Sequence, residues 1–131
     1  MNRKEGLEFI KDKEYIENPF PFGNGFSVPW EVMDEDLTLW EKIILSMVIS
    51  FVSNEQEFYM SNEFLATKFN LSIKTISRAV KNLHVLGYIT SYHKHTRISI
   101  KTVGRVLEPA GKYYLPTSRD DKFVYKEYIY N

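Results

Sequence analysis

Residues 61–87 read SNEFLATKFNLSIKTISRAVKNLHVLG and carry the clearest structural pattern in the chain. Ser61 and Ser72 each stand directly before a run of apolar residues at helical spacing. A serine hydroxyl at such a position accepts a hydrogen bond from an amide of the first helical turn. Asn70 stands where the first of these helices should end. Because so few residues separate the two helices, their axes must cross sharply, and the stretch predicts a helix-turn-helix.

Apolar side chains in both helices recur every three or four residues, which indicates that each helix buries one face. Gly87 follows the second helix and tolerates the left-handed backbone that commonly ends one. We expect the buried faces to contain Phe64, Leu65 and Phe69 in the first helix and Ile73, Ile76, Val80 and Leu83 in the second.

A third helix is predicted upstream, beginning at a capping box. Thr38 and Glu41 have the spacing at which each side chain accepts a hydrogen bond from the backbone amide of the other. Before this box, Pro29 can open a short helical turn that extends to Met33. The apolar face of the third helix, which we expect to lie in the core, contains Trp40, Ile43, Ile44, Met47, Val48 and Phe51.

A β-hairpin is predicted after Gly87. Residues 88–92 and 97–101 are β-prone, and residues 93–96 between them form a basic tip. A shorter β-prone run at residues 57–60 is available to pair with this hairpin. Three helices followed by a hairpin predict the α+β class, as a winged helix-turn-helix with a three-helix core and a β-hairpin wing.

The chain has 131 residues, the length of one domain. We divide it into an N-terminal extension at residues 1–25, a winged-helix domain at residues 26–101 and an aromatic-rich C-terminal extension at residues 102–131. Alternation at residues 123–130 suggests a strand in the last of these. That strand either packs back on the domain or offers an edge to a second copy or another protein.

Charge is strongly separated along the chain, although the total is zero. Residues 1–60 carry a net charge of −7, whereas residues 61–101 carry +6. Such a concentration of cations indicates a surface that faces a polyanion, unless the charges merely solvate one side of the protein. The acidic N-terminal half then either faces away from the polyanion or binds a protein partner.

The outward face of the second helix carries cationic and hydrogen-bonding side chains. A helix fits the major groove of B-DNA, where arginine pairs well with guanine and asparagine with adenine. The N-terminal part of such a helix reaches deepest, which ranks Lys74, Thr75 and Arg78 first. At about 100° per residue, the candidates for contact with DNA on this helix are Ser72, Lys74, Thr75, Ser77, Arg78, Lys81 and Asn82.

Other candidates suit contact with phosphates, which position a protein on DNA. Helix N-termini attract anions, and basic side chains on a wing can reach the backbone. The candidates are Ser61, Asn62 and Lys68 in the helices and His93, Lys94, His95 and Arg97 in the wing. His93 and His95 also have the spacing of two ligands on one strand face. With no cysteine and no acidic residue nearby in sequence, we expect no metal there.

The sequence carries no pattern typical of an enzyme or of a cofactor site, and we expect neither. Its glycine-rich run at residues 22–26 lacks the lysine and hydroxyl residue of a P-loop. The absence of cysteine excludes disulfides and fits a reducing compartment. The longest apolar run, residues 43–52, is too short to cross a bilayer, and no secretion signal opens the sequence. We therefore expect a cytoplasmic protein without membrane contact.

Three runs carry a resemblance to a known family: SNEFLATKFNLS at residues 61–72, KTISRAVKNL at residues 74–83 and LGYI at residues 86–89. Together with FSVPWEVM at residues 26–33 and LTLWEK at residues 37–42, they resemble the winged-helix domains of phage and plasmid replication proteins.

The resemblance implies binding of double-stranded DNA at an origin or an operator. By that likeness, the side chains facing the major groove are Ser72, Lys74, Thr75, Ser77 and Arg78. Similar runs occur in bacterial transcription regulators, so a regulator that uses the same helix is the alternative function. A protein-interaction module with this fold is a second alternative, and the resemblance leaves open whether the chain forms a homodimer.

Overall fold

The computed structural model describes residues 26–96, 102–116 and 124–129. The N-terminal extension expected at residues 1–25 lies outside these ranges. Among the described residues, no helix combines the length and the apolar character needed to span a membrane. In chain order the elements are α1 (Trp30–Met33), α2 (Leu39–Ser53), α3 (Asn62–Phe69), α4 (Ile73–Val85), β1 (Ile89–Thr96), β2 (Thr102–Pro109), a 3-10 helix (Gly111–Tyr113) and β3 (Val124–Tyr128).

Helices α2, α3 and α4 share one apolar core, and the strands form an antiparallel sheet in the order β2-β1-β3. An isolated bridge joins Phe58 to Leu107 of β2, and the Leu107 amide donates to the Phe58 carbonyl over 2.9 Å. The β-prone run before α3 thus pairs with the wing, as predicted. This arrangement confirms the expected α+β fold class, a winged helix-turn-helix.

The first two helices begin where the sequence predicts. Pro29 is the N-cap of α1. The Thr38 amide donates to Oε1 of Glu41 over 2.9 Å, and the Glu41 amide donates to Oγ1 of Thr38 over 3.3 Å. The capping box is therefore confirmed, and α2 forms the centre of the core. Its buried apolar residues are Ile44, Leu45, Met47, Val48, Phe51 and Val52.

The helix-turn-helix is also defined by its caps. The Ser61 hydroxyl accepts from the Phe64 amide over 3.0 Å, and the Ser72 hydroxyl accepts from the Thr75 amide over 3.1 Å. Asn70 has a φ of 55°, a left-handed conformation that ends α3 and that asparagine tolerates better than most residues. The turn between α3 and α4 is as short as predicted.

The prediction that Ile73 lies in the core is wrong. This side chain is 49% exposed, whereas Ile76 is fully buried and Ala79 is 4% exposed. A helical wheel gives the direction of a side chain around the axis, but not whether another element covers that end of the helix. Ile73 is the first residue of α4, and it lines an open groove instead.

The predicted position of the hairpin tip is also wrong. Strand β1 continues through residues 93–96, which were expected to form the turn, and β2 begins only at Thr102. His93, Lys94 and His95 therefore lie within a strand. Polar residues resemble a turn in sequence, but a strand with a solvent-facing side accommodates them equally well. The expected second strand at residues 97–101 lies outside the described residues, and β2 occupies the stretch assigned to the C-terminal extension.

The strand suggested at residues 123–130 exists as β3 and pairs antiparallel with β1. Tyr92 lies opposite Tyr128, and the two rings meet at a centroid distance of 5.7 Å. Of the two alternatives for the C-terminal strand, packing back on the domain is confirmed. The wing is consequently a three-stranded sheet with β1 at its centre.

A carboxylate joins three distant parts of the chain at the base of the wing. Glu35 accepts from the hydroxyl of Tyr88 over 2.6 Å and from that of Tyr113 over 2.9 Å, and it pairs with the ammonium of Lys112. The hydrogen bond from Lys112 is the largest cause that lowers the Glu35 pKa to about 2, followed by that from Tyr88. This cluster fixes the 3-10 helix and the start of β1 against the segment before α2.

Candidate nucleic-acid interface

Three cations form an exposed line along α4, which we call the cationic stripe: Lys74, Arg78 and Lys81. Steps of four and three residues place them on one side of a helix. The opposite side of α4 is buried in the core and contains Ile76, Ala79, Val80 and Leu83. The expected outward position of the stripe is therefore confirmed, and its contact with DNA stays a prediction.

Histidine adds no permanent charge to this helix. Burial lowers the pKa of His84 below its usual value of 6.5, so the imidazole is neutral at physiological pH. The positive field of α4 comes from the stripe.

The N-terminus of α4 holds two hydroxyl groups close together. Oγ of Ser72 lies 2.9 Å from Oγ1 of Thr75 and also accepts from the Thr75 amide. Ser72 is exposed and Thr75 is half-buried. Each hydroxyl can donate once and accept twice, so this pair retains hydrogen-bonding capacity for a ligand beside Lys74.

Two of the expected contact residues are joined to each other inside the protein. The side-chain amide nitrogen of Asn62 donates to Oγ of Ser77 over 3.1 Å, which links the start of α3 to α4. The amide oxygen of Asn62 accepts from Nη1 of Arg105 over 2.7 Å. The side chains of Asn62 and Ser77 therefore hold α3 and α4 together. Any role of these two residues in binding DNA stays a prediction.

Arg105 is the residue that sequence reasoning missed. It lies on β2, in the stretch assigned to the C-terminal extension, and its other terminal nitrogen donates to the Met60 carbonyl over 2.7 Å. A signal existed in the β-branched residues Thr102, Val103 and Val106, which favour a strand at this position. The misplaced hairpin tip concealed it.

Asn82 also has a partner within the fold. Its side-chain amide nitrogen donates to Oε2 of Glu41 over 2.8 Å. Reading adenine requires both the donor and the acceptor of the amide. Glu41 engages one of the two N–H groups of this amide and fixes its orientation, so Asn82 can read adenine only if the other N–H and the amide oxygen both face the base.

Three wing candidates are consecutive residues in the second half of β1: His93, Lys94 and His95. His93 lies opposite Arg105 of β2 and Glu127 of β3, and Lys94 lies opposite Gly104 and Lys126. The register shifts between Lys94 and His95, which marks an irregularity in this strand. The remaining wing candidate, Arg97, lies outside the described residues.

The other phosphate candidates lie on α3 and at its start. Ser61 is exposed at the N-cap, and Lys68 is exposed in the last turn. Since α3 is only eight residues long, these two mark its opposite ends. Lys68 is therefore well separated from the start of the helix, where Ser61 and Asn62 lie together.

An open groove of about 400 Å³ separates the helix-turn-helix from the wing. Ile73 and the exposed ring of Tyr59 give it an apolar part, and Arg105 gives it a cationic one. Its lining consists of Tyr59, Ser61, Asn62, Glu63, Ile73, Ser77, Gly104 and Arg105. Four polar residues thus meet between the start of α4 and β2. They are the predicted Ser61, Asn62 and Ser77, together with Arg105, which the sequence analysis did not identify.

Comparison with known proteins agrees with this geometry. Residues 35–89 are similar to a family described as a helix-turn-helix domain, and the match extends from just before α2 to the first residue of β1. It covers less than half of the chain. The comparisons with curated proteins and with solved structures gave no match.

The fold and the family match define the class of this protein as a winged helix-turn-helix. A helix-turn-helix domain suggests DNA binding, and α4 is the element that enters the major groove in such domains. The similarity extends to the helix-turn-helix domain and does not distinguish replication from regulation of transcription.

Proposed function

We propose that this protein binds double-stranded DNA with partial sequence specificity, as an origin-binding protein of the phage or plasmid replication type. The observation that carries the proposal is the cationic stripe on α4, which is exposed on a helix whose other face is anchored in the core. The replication role rests on the resemblance of about residues 26–101 to winged-helix domains of such proteins.

The stripe suits the major groove for geometric and electrostatic reasons. An α-helix fits that groove, and the fork of the Arg78 guanidinium can bond O6 and N7 of one guanine. Lys74 lies one turn closer to the N-terminus of α4, with the Thr75 hydroxyl beside it. Lys81 lies nearer the other end of the helix and suits a phosphate at the edge of the groove.

The wing supports the same orientation. Residues 93–95 lie on a strand that projects from the end of α4, and the sheet keeps that strand fixed between two neighbours. Basic residues on such a strand suit contact with phosphates next to the bases that α4 reads.

Selection of bound duplexes from a random pool, followed by salt titration of the best one, tests the proposal. We expect a slope of about −3 for log affinity against log salt if each subunit neutralises about three phosphates. Lys74→Ala and Arg78→Ala should each weaken binding about tenfold or more. Lys42→Ala is the matched control, since it removes the same charge from a residue of α2 outside the candidates for contact with DNA, whose ammonium donates to the Met33 carbonyl in an exposed position.

Two results would contradict the proposal. Unchanged affinity in the Lys74→Ala/Arg78→Ala double variant would exclude the stripe as the binding surface. If DNA affinity is unchanged in that variant while a protein pull-down is lost, the domain is a protein-interaction module.

A footprint within a replication origin supports the replication role, whereas a footprint confined to promoters supports a transcription regulator. A palindromic selected site would indicate a homodimer.

A further inference from the structure

A short chain of hydrogen bonds crosses the groove from the wing to α4. It begins at the guanidinium of Arg105 on β2, whose two terminal nitrogens donate over 2.7 Å to Oδ1 of Asn62 and to the Met60 carbonyl. It continues from Nδ2 of Asn62 to Oγ of Ser77 over 3.1 Å. The wing, the start of α3 and the middle of α4 are thus connected through one side chain.

The guanidinium of Arg105 suits a fixed connection between the wing and the start of α3 because its donors lie in one plane. Two terminal nitrogens can hold two acceptors at a defined angle, whereas a lysine ammonium has no such preferred arrangement. By binding the amide oxygen of Asn62, Arg105 also directs the amide nitrogen toward Ser77. The orientation of Asn62 therefore depends on Arg105, and the contact with α4 depends on that orientation.

Ser77 stands between the residues of the stripe. It precedes Arg78 directly and lies less than one turn after Lys74. Ser77 therefore connects Arg105, through Asn62, to the part of α4 that carries the stripe. Leu107, two residues after Arg105, attaches β2 to Phe58 near the end of the wing that adjoins α4. Arg105 attaches the same strand to Asn62 and Met60 at a point further from α4 along the wing.

We propose that Arg105 is a positioning residue that fixes the wing relative to the cationic stripe, acting through Asn62 and Ser77. The inference rests on the proposed function for the identity of the ligand, which is duplex DNA. A fixed wing meets the backbone in the same register as the stripe meets the bases, so both contacts form together without further ordering of the protein.

The first test needs no DNA. The chain contains no cysteine, so a spin label will attach only where a cysteine is introduced. Two labels are placed through Val85→Cys on α4 and Tyr128→Cys on β3. These positions are 74% and 48% exposed, respectively. We expect one narrow distance distribution between the labels with Arg105 present. Arg105→Lys and Asn62→Ala should each broaden it, and the double variant should broaden it no further. Unchanged distributions in both single variants would overturn the proposal.

The second test separates positioning from direct contact with phosphate. In Arg105→Lys we expect affinity for the selected duplex to fall about tenfold and the salt slope to become shallower by about one for each phosphate that the wing no longer neutralises. The base preference set by Arg78 should persist. If Arg105 simply attracted a phosphate, lysine would keep the slope and the footprint, and the proposal would be wrong.

Variants of the other two residues keep the inference testable if Arg105→Lys folds poorly. Ser77→Ala removes the last hydrogen bond while leaving that between Arg105 and Asn62. In the footprint on the duplex, we expect Ser77→Ala to lose less of the protection that the wing gives the DNA than Asn62→Ala does. The distribution of label distances should likewise broaden less in Ser77→Ala than in Asn62→Ala. If no duplex binds the unaltered protein, the proposed function fails, whereas the label distances still decide whether Arg105 fixes the wing.

Discussion

The side-chain amide of Asn82 donates to the carboxylate of Glu41 over 2.8 Å and thereby joins α4 to the first turn of α2. Glu41 is only 6% exposed, and its other carboxylate oxygen accepts from the Thr38 amide. One buried carboxylate therefore completes a helix cap and also holds the helix that carries the cationic stripe. This relationship assigns Asn82 a structural role on the outward side of α4.

Replacement of Asn82 by alanine should destabilise the fold and spare base recognition. The Glu41 carboxylate would lose a donor in a buried place, a loss of about 1–3 kcal/mol in the free energy of unfolding. Urea denaturation measures this change, and duplex selection measures the base preference. A stable variant with an altered preference for adenine would instead show that Asn82 reads a base.

Acid should weaken the fold through Glu35. The Glu35 pKa is about 2 in the folded protein, below its usual value of 4.5, because Lys112, Tyr88 and Tyr113 donate to the ionised carboxylate. A lowered folded-state pKa contributes stability that is complete above about 4.5 and is lost as the pH falls toward 2. Thermal unfolding between pH 7 and pH 2 should therefore show a steeper loss in the unaltered protein than in Glu35→Gln. Equal pH profiles would exclude this role.

Two isoleucines of α4 should respond very differently to truncation. Ile76 is fully buried, so Ile76→Ala removes packed volume and should destabilise the protein by about 2–5 kcal/mol. Ile73 is 49% exposed, and Ile73→Ala should change stability by less than about 1 kcal/mol. Chemical denaturation of the pair measures both, and equal losses would place Ile73 in the core after all.

Two glycines at the base of the wing should tolerate alanine unequally. Gly87 has a φ of +83° with open space where a Cβ would lie, so Gly87→Ala should destabilise by about 1–2 kcal/mol through backbone strain alone. At Gly111 a Cβ would lie 2.7 Å from the Gly87 carbonyl oxygen, in addition to a φ of +58°. Gly111→Ala should therefore be the more harmful change in thermal unfolding. The reverse order would contradict this explanation.

Features determined by neighbouring residues could be predicted from the sequence. The caps at Thr38, Ser61 and Ser72 each depend on a contact three residues away, and all three were found. The left-handed Asn70 and the terminal Gly87 follow from the same local chemistry. These features define the helix-turn-helix, and with it the outward face of α4.

Features determined by distant residues could not be predicted in the same way. The Glu35 cluster joins residues more than fifty positions apart, and Arg105 meets Asn62 only because β2 pairs in one particular register. Sequence alternation indicates that a strand exists but not which strand it joins. The hairpin tip was misplaced for that reason, and the connection from the wing to α4 was missed with it.

The central place of β1 also affects how the protein is made. The helix-turn-helix and the first wing pair can form as soon as residues up to the 3-10 helix have left the ribosome. Until β3 follows, one side of β1 offers unpaired backbone groups, and such a side readily recruits strands from other chains. A chain truncated after residue 116 should therefore retain its helices and yet accumulate in inclusion bodies.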